Sequence, residues 1–99
     1  MKKSILLLLI LLIPVLALAQ TAEEYNDMGT SKGEKGDYKG ALKDFNKAIE
    51  LDPKLSDAYF NRGLAKIQLG QKDSGCLDLS KAGEMGYSQA YDTIKKFCQ

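Results

Sequence analysis

Positions 34 residues apart in this chain carry matching residues, and that recurrence limits the fold more than any other feature. Tyr25 and Tyr59, Gly29 and Gly63, Gly36 and Gly70, and Ala48 and Ala82 are each separated by 34. Phe45 returns as Leu79, and Ala41 as Gly75, at the same spacing. A fixed period of this length marks a supersecondary unit that buries its apolar face by stacking on its own copy. The sharpest copy is Gly36 to Pro53, GDYKGALKDFNKAIELDP. Ala41, Phe45 and Ala48 fall at i, i+4 and i+7, with Leu42, Ile49 and Leu51 widening the stripe, so the stretch predicts an amphipathic helix. Asp37 supplies an N-cap. Pro53 cannot continue the helix and biases Asp52 away from helical geometry.

Caps and glycines place the remaining helices. Thr21-Ala22-Glu23-Glu24 fits a capping box and opens a helix from Ala22 to about Lys35, with Gly36 making the turn. Tyr25, Met28, Gly29 and Lys32 lie on one face. Gly29 is small enough to admit the following helix, and Lys32 can lay its aliphatic stem over apolar surface while its ammonium stays in water. Ser56 caps a helix from Asp57 to about Leu69, stopped by Gly70. Its partner begins near Asp73 and carries Cys76, Leu79 and Ala82, with Gly75 inviting a closer approach. Ser88 caps a last helix, Gln89 to Phe97, with Tyr91, Ile94 and Cys98 at i, i+3 and i+7 and Ala90 and Phe97 beside them. One apolar side suits it to cover the open end of the stack. Lys43, Asp44, Lys47 and Glu50 read as a solvated helix face.

With its 34-residue period, GDYKGALKDFNKAIELDP, and NRGLAK from Asn61 to Lys66, the chain resembles the tetratricopeptide repeat (TPR) family from Ala22 to about Gly83. The resemblance implies an all-α, TPR-type helical hairpin solenoid of two repeats, with five helices including a C-terminal capping helix. Repeat 1 covers about 22–55, repeat 2 about 56–87 and the capping helix about 88–98. It also implies a protein–protein interaction module rather than an enzyme, with the first helix of each repeat lining a concave face that receives a peptide or helix. On that reading the protein-binding candidates are Asn26, Phe60, Asn61, Leu64, Ile67 and Gln68. Phe60, Leu64 and Ile67 form an apolar stripe, open to a partner or covered by the closing helix. Asn61 matches a groove asparagine that holds a peptide backbone in many members. Asn26 and Thr30 replace the lysine and asparagine of the members that grip a terminal carboxylate, so that clamp is not expected. A structural alternative is a module that self-associates into a homo-oligomer through its repeat ends.

Lys2 and Lys3, the apolar run Ile5–Ala19 and Ala17-Leu18-Ala19 have the order of an export signal, so residues 1–19 are expected to be cut after Ala19. The run falls short of the roughly 20 residues a spanning helix needs, and Pro14 interrupts it, so no lasting membrane anchor is expected. A periplasmic or secreted protein follows. The chain carries 14 Lys and Arg against 13 Asp and Glu. Loss of Lys2 and Lys3 leaves 14 − 2 = 12 against 13, a net charge near −1, without the basic field that nucleic acid requires. There is no histidine, and neither a metal, a cofactor nor a catalytic residue is expected, since no G-x-S-x-G, S-x-x-K or phosphate loop is present. Cys76 and Cys98 lie 22 apart, with their midpoint at residue 87 in a turn, so an antiparallel helix pair sets them opposite each other. An oxidising compartment favours a disulfide between them; two buried thiols remain the alternative.

Overall fold

The computed structural model describes residues 20–99; the expected signal peptide, 1–19, and its cleavage site at Ala19 lie outside the described residues. Five helices follow one another: α1 (Ala22–Glu34), α2 (Tyr38–Leu51), α3 (Ser56–Gln68), α4 (Lys72–Glu84) and α5 (Gln89–Phe97). Each packs on its neighbour in sequence, and α3 also touches α1. The described residues contain no strand, in keeping with the expected all-α hairpin solenoid.

Each tight turn is built the same way. Gly36, Gly70 and Gly86 take φ of 85°, 82° and 100°, which only glycine adopts without strain. The next residue then bonds back to the turn before it. Asp37 N–H donates to the Lys32 carbonyl (2.9 Å), Gln71 N–H to Lys66 (2.8 Å) and Tyr87 N–H to Ala82 (3.0 Å). These are Schellman closures, and they satisfy carbonyls that a helix end leaves open. Asp37 then caps α2 by accepting from the Gly40 N–H at 2.9 Å, as expected. Thr21 caps α1 by accepting from the Glu24 N–H (3.2 Å), but Glu24 receives the Thr21 hydroxyl rather than its amide, which leaves the capping box half closed. Ser56 and Ser88 do not cap by side chain: Ser56 is already helical, and Ser88 lies in α-helical geometry.

Small residues set the helix spacing. Seven of the nine buried apolar residues are alanines; Phe45 and Leu79 are the two large ones. In the first hairpin a methyl on Gly29 would stand 2.6 Å from the Phe45 ring, so the ring fills the space that glycine vacates. In the second hairpin the main chains themselves meet. A methyl on Gly63 would lie 2.7 Å from the Gly75 carbonyl oxygen, and one on Gly75 would lie 2.6 Å from that of Gly63. The approach expected from Gly75 is therefore present. Four residues read as inward-facing are instead exposed: Met28 by 36%, Leu51 by 48%, Tyr91 by 53% and Phe97 by 36%. Tyr91 still lays its ring edge against Gly83, where an added methyl would be 3.0 Å from its Cζ.

Only Ala90 of α5 is fully buried. Cys76 on α4 and Cys98 at the end of α5 are disulfide-bonded, with Cα atoms 5.9 Å apart. Beyond them, Lys72 Nζ donates to the Gln99 carbonyl at 3.2 Å. The last turn is thus tied at the point where packing is thinnest.

Candidate functional site

The charges of the first helix in each hairpin are drawn toward the second. Lys32 Nζ stands 2.9 Å from Asp44 Oδ2, and its partner holds its pKa above the usual lysine value. The expectation of a solvated Asp44 is therefore corrected: Asp44 is buried. Lys66 repeats the arrangement 34 residues on, with Nζ 2.8 Å from Asp78 Oδ2. Arg62 adds a two-pronged contact, Nε and Nη2 each donating to an Asp78 oxygen at 2.8 Å, and its Nη1 reaches Asn46 of α2 at 3.1 Å. Charged bidentate bonds of this kind are strong and directional.

Burial pushes the Asp78 carboxyl upward, but hydrogen bonds from Arg62 and Lys66 outweigh it and leave the group below its ordinary value of 3.8. A depressed carboxylate contributes stability that is complete above its unfolded pKa and is lost as pH falls through its folded one. The window therefore opens near pH 3.8 and extends downward. Urea midpoints should fall across that window in the natural protein. Asp78→Asn should cost about 2 kcal/mol at neutral pH and flatten the acid slope. An unchanged slope would show that Asp78 does not sense the fold.

Between α1 and α3 runs a ladder of amides and hydroxyls. Asn26 Nδ2 donates to Asp57 at 3.3 Å, and Asn61 Nδ2 donates to Asn26 Oδ1 at 3.1 Å and to Thr30 Oγ1 at 3.4 Å. The Thr30 hydroxyl donates to the Asn26 carbonyl at 2.9 Å. Beside this ladder lies a groove of about 420 Å³. Its wall combines Thr30, Gly33 and Glu34 of α1 with Tyr38 and Phe45 of α2. Asn61, Leu64, Ala65 and Gln68 of α3 form another side, and Phe97 of α5 closes the far one. A concave, mostly apolar space with a few polar groups has the character of a binding site.

The predicted candidates divide. Asn61, Leu64 and Gln68 line the groove. Asn26 is buried behind it in the ladder. Phe60 stacks on Tyr87, ring centroids 4.6 Å apart and tilted by 43°. Ile67 turns toward α4, its Cγ1 2.8 Å from where a Gly75 methyl would be. The apolar stripe is thus neither wholly open nor wholly covered. Sequence reading missed Tyr38, Phe45, Glu34 and Phe97 as groove residues. In sequence, Phe97 reads as part of the inward side of a cap, and its position beside Cys98 is the available signal.

Two helical hairpins and a closing helix around a groove define a helical-repeat module. Residues 33–70 match the family model described as TPR repeat. The Tetratricopeptide repeat protein 36 homolog of Nematostella vectensis is 41% identical over 66 residues, covering 67% of this chain and 36% of the relative. An uncharacterized protein of Methanocaldococcus jannaschii is 52% identical over 50 residues, 50% of this chain and 58% of that one. The Protein SGT1 homolog of Oryza sativa subsp. japonica is 41% identical over 70 residues, 71% of this chain and 18% of its own length. The chain spans less than two thirds of each relative. It belongs to the tetratricopeptide repeat family.

Proposed function

We propose that this chain is an exported scaffold that holds a peptide or helix of another envelope protein in the groove between α1, α3 and α5. The observation that carries the reading is the groove itself, whose Leu64 and Phe97 walls offer an apolar anchor beside the polar Asn61 and Gln68. The charged leader, apolar run and Ala17-Leu18-Ala19 support export to a bacterial periplasm. The nearly balanced charge supports a protein rather than a nucleic-acid partner.

Recovery of partners from the native envelope, with Leu64→Asp and Leu77→Ala as paired baits, tests the reading. Leu77 is 72% exposed on α4 and does not line the groove, so its variant controls for general stickiness. The natural protein and Leu77→Ala should recover the same partner, and Leu64→Asp should lose it while keeping its helical content. A partner kept by Leu64→Asp would move the site to another face. A bait that sediments as a dimer and recovers nothing would favour self-association.

A further inference from the structure

The cations of α1 and α3, two of the four helices that line the groove, are already committed. Lys32 of α1 is paired with Asp44, and Arg62 and Lys66 of α3 are both paired with Asp78. These three are all the basic residues of α1 and α3, so neither helix has an unpaired cation to offer a partner. Glu34 is the one charged residue in the groove wall, and it makes no ion pair or side-chain hydrogen bond among the described residues. The polar groups nearby lean the same way. Asn61 spends its amide hydrogens on Asn26 and Thr30, and Thr30 spends its hydroxyl hydrogen on Asn26, which leaves both residues to accept. Gln68 and the Tyr38 hydroxyl serve either kind of partner. Lys96 of α5 lies 5.4 Å from the Phe97 ring centroid, on the α5 wall, while Glu34 stands on α1.

We infer that the groove takes a segment carrying an apolar side chain next to a lysine or arginine, not one that ends in a carboxylate. The apolar group sits among Leu64, Phe45 and Phe97, and the neighbouring cation meets Glu34. Charge complementarity selects this occupant, because an anionic segment would find a carboxylate and no uncommitted cation on α1 or α3. The inference rests on the groove being the binding site.

Selection of random peptides on the purified protein separates the two claims. One pool is blocked at both ends and the other has free C-termini; Leu64→Asp and Glu34→Gln serve as counter-baits. Binders should carry lysine or arginine within a few residues of an aliphatic or aromatic residue and should come from either pool. Their affinity should collapse on Leu64→Asp and fall about threefold to fivefold on Glu34→Gln, the range of an exposed ion pair. Glu34→Lys should weaken them further, and so should salt raised from about 0.05 M to about 0.5 M. Binders that need Leu64 but ignore Glu34, or that need a free carboxylate, would overturn the basic-partner inference and leave the groove in place. Binders indifferent to Leu64, or none at all, would remove the groove as the site and this inference with it.

Discussion

Phe45→Ala should unfold most of the helical array rather than soften it. Phe45 is 3% exposed and centres a cluster with Ala41 and Ala65, flanked by Tyr38 and Leu42. Because the rest of the buried apolar set is alanine apart from Leu79, few other side chains supply large contact area. Truncating a buried phenylalanine costs about 3–5 kcal/mol, part transfer and part cavity. A core this small rarely supplies more than about 3–5 kcal/mol in total, so loss and reserve are of one size. Helical circular dichroism at 25 °C should therefore drop sharply, whereas Phe45→Leu should cost on the order of 1 kcal/mol. The pairing with Gly29 gives a stricter test. Alone, Gly29→Ala drives a methyl to 2.6 Å from the ring. With the ring removed, the same change fills part of the cavity and gains about 1 kcal/mol of helix propensity. Gly29→Ala should therefore destabilise the natural protein and rescue Phe45→Ala. Additive effects in the double variant would mean that the two positions do not meet.

Local grammar made most of the helices legible. Gly36, Gly70 and Gly86 require positive φ, and Asp37 and Pro53 bound α2, so each boundary is written within a few residues of itself. The cysteine pair was legible because two antiparallel helices and one turn leave a single register. The groove was less so, since its wall joins four helices and depends on where α5 ends. An i, i+4, i+7 stripe shows that Phe60, Leu64 and Ile67 share a side of α3, yet that side meets three surroundings: Tyr87, the groove and Gly75. Asp44 was misread because a lone acid on one helix looks solvated. Comparison of the two repeats held the missing signal, for Lys32 and Asp44 recur as Lys66 and Asp78, each 34 residues later. An ion pair between the helices of one hairpin leaves that double trace.

Opening the Cys76–Cys98 bond should release α5 while the first hairpin stays folded. Helix α5 has 9 residues, fewer than the roughly 12–15 at which isolated helices become marginally stable, so its order comes from docking. Docking is thin: Ala90 is its one fully buried residue, and Tyr91 and Phe97 remain 53% and 36% exposed. The bond closes a span of 22 residues, which the chain-entropy model values at about 3 kcal/mol. That amount is large against so small a packed surface. Loss of the crosslink should therefore exceed what holds α5 down, and the drop in global stability should stop at the cost of undocking it. Hydrogen exchange of Cys98→Ser, or of protein reduced with a dithiol, should show the amides of α5 fully exchanging while those of α2 keep most of their protection. Phe97 would then leave the groove wall, so groove ligands should weaken in the reduced protein and regain affinity on reoxidation. Equal loss of protection in α2 and α5 would instead make the bond a brace for the whole array, and unchanged α5 protection would show that packing alone suffices to seat it.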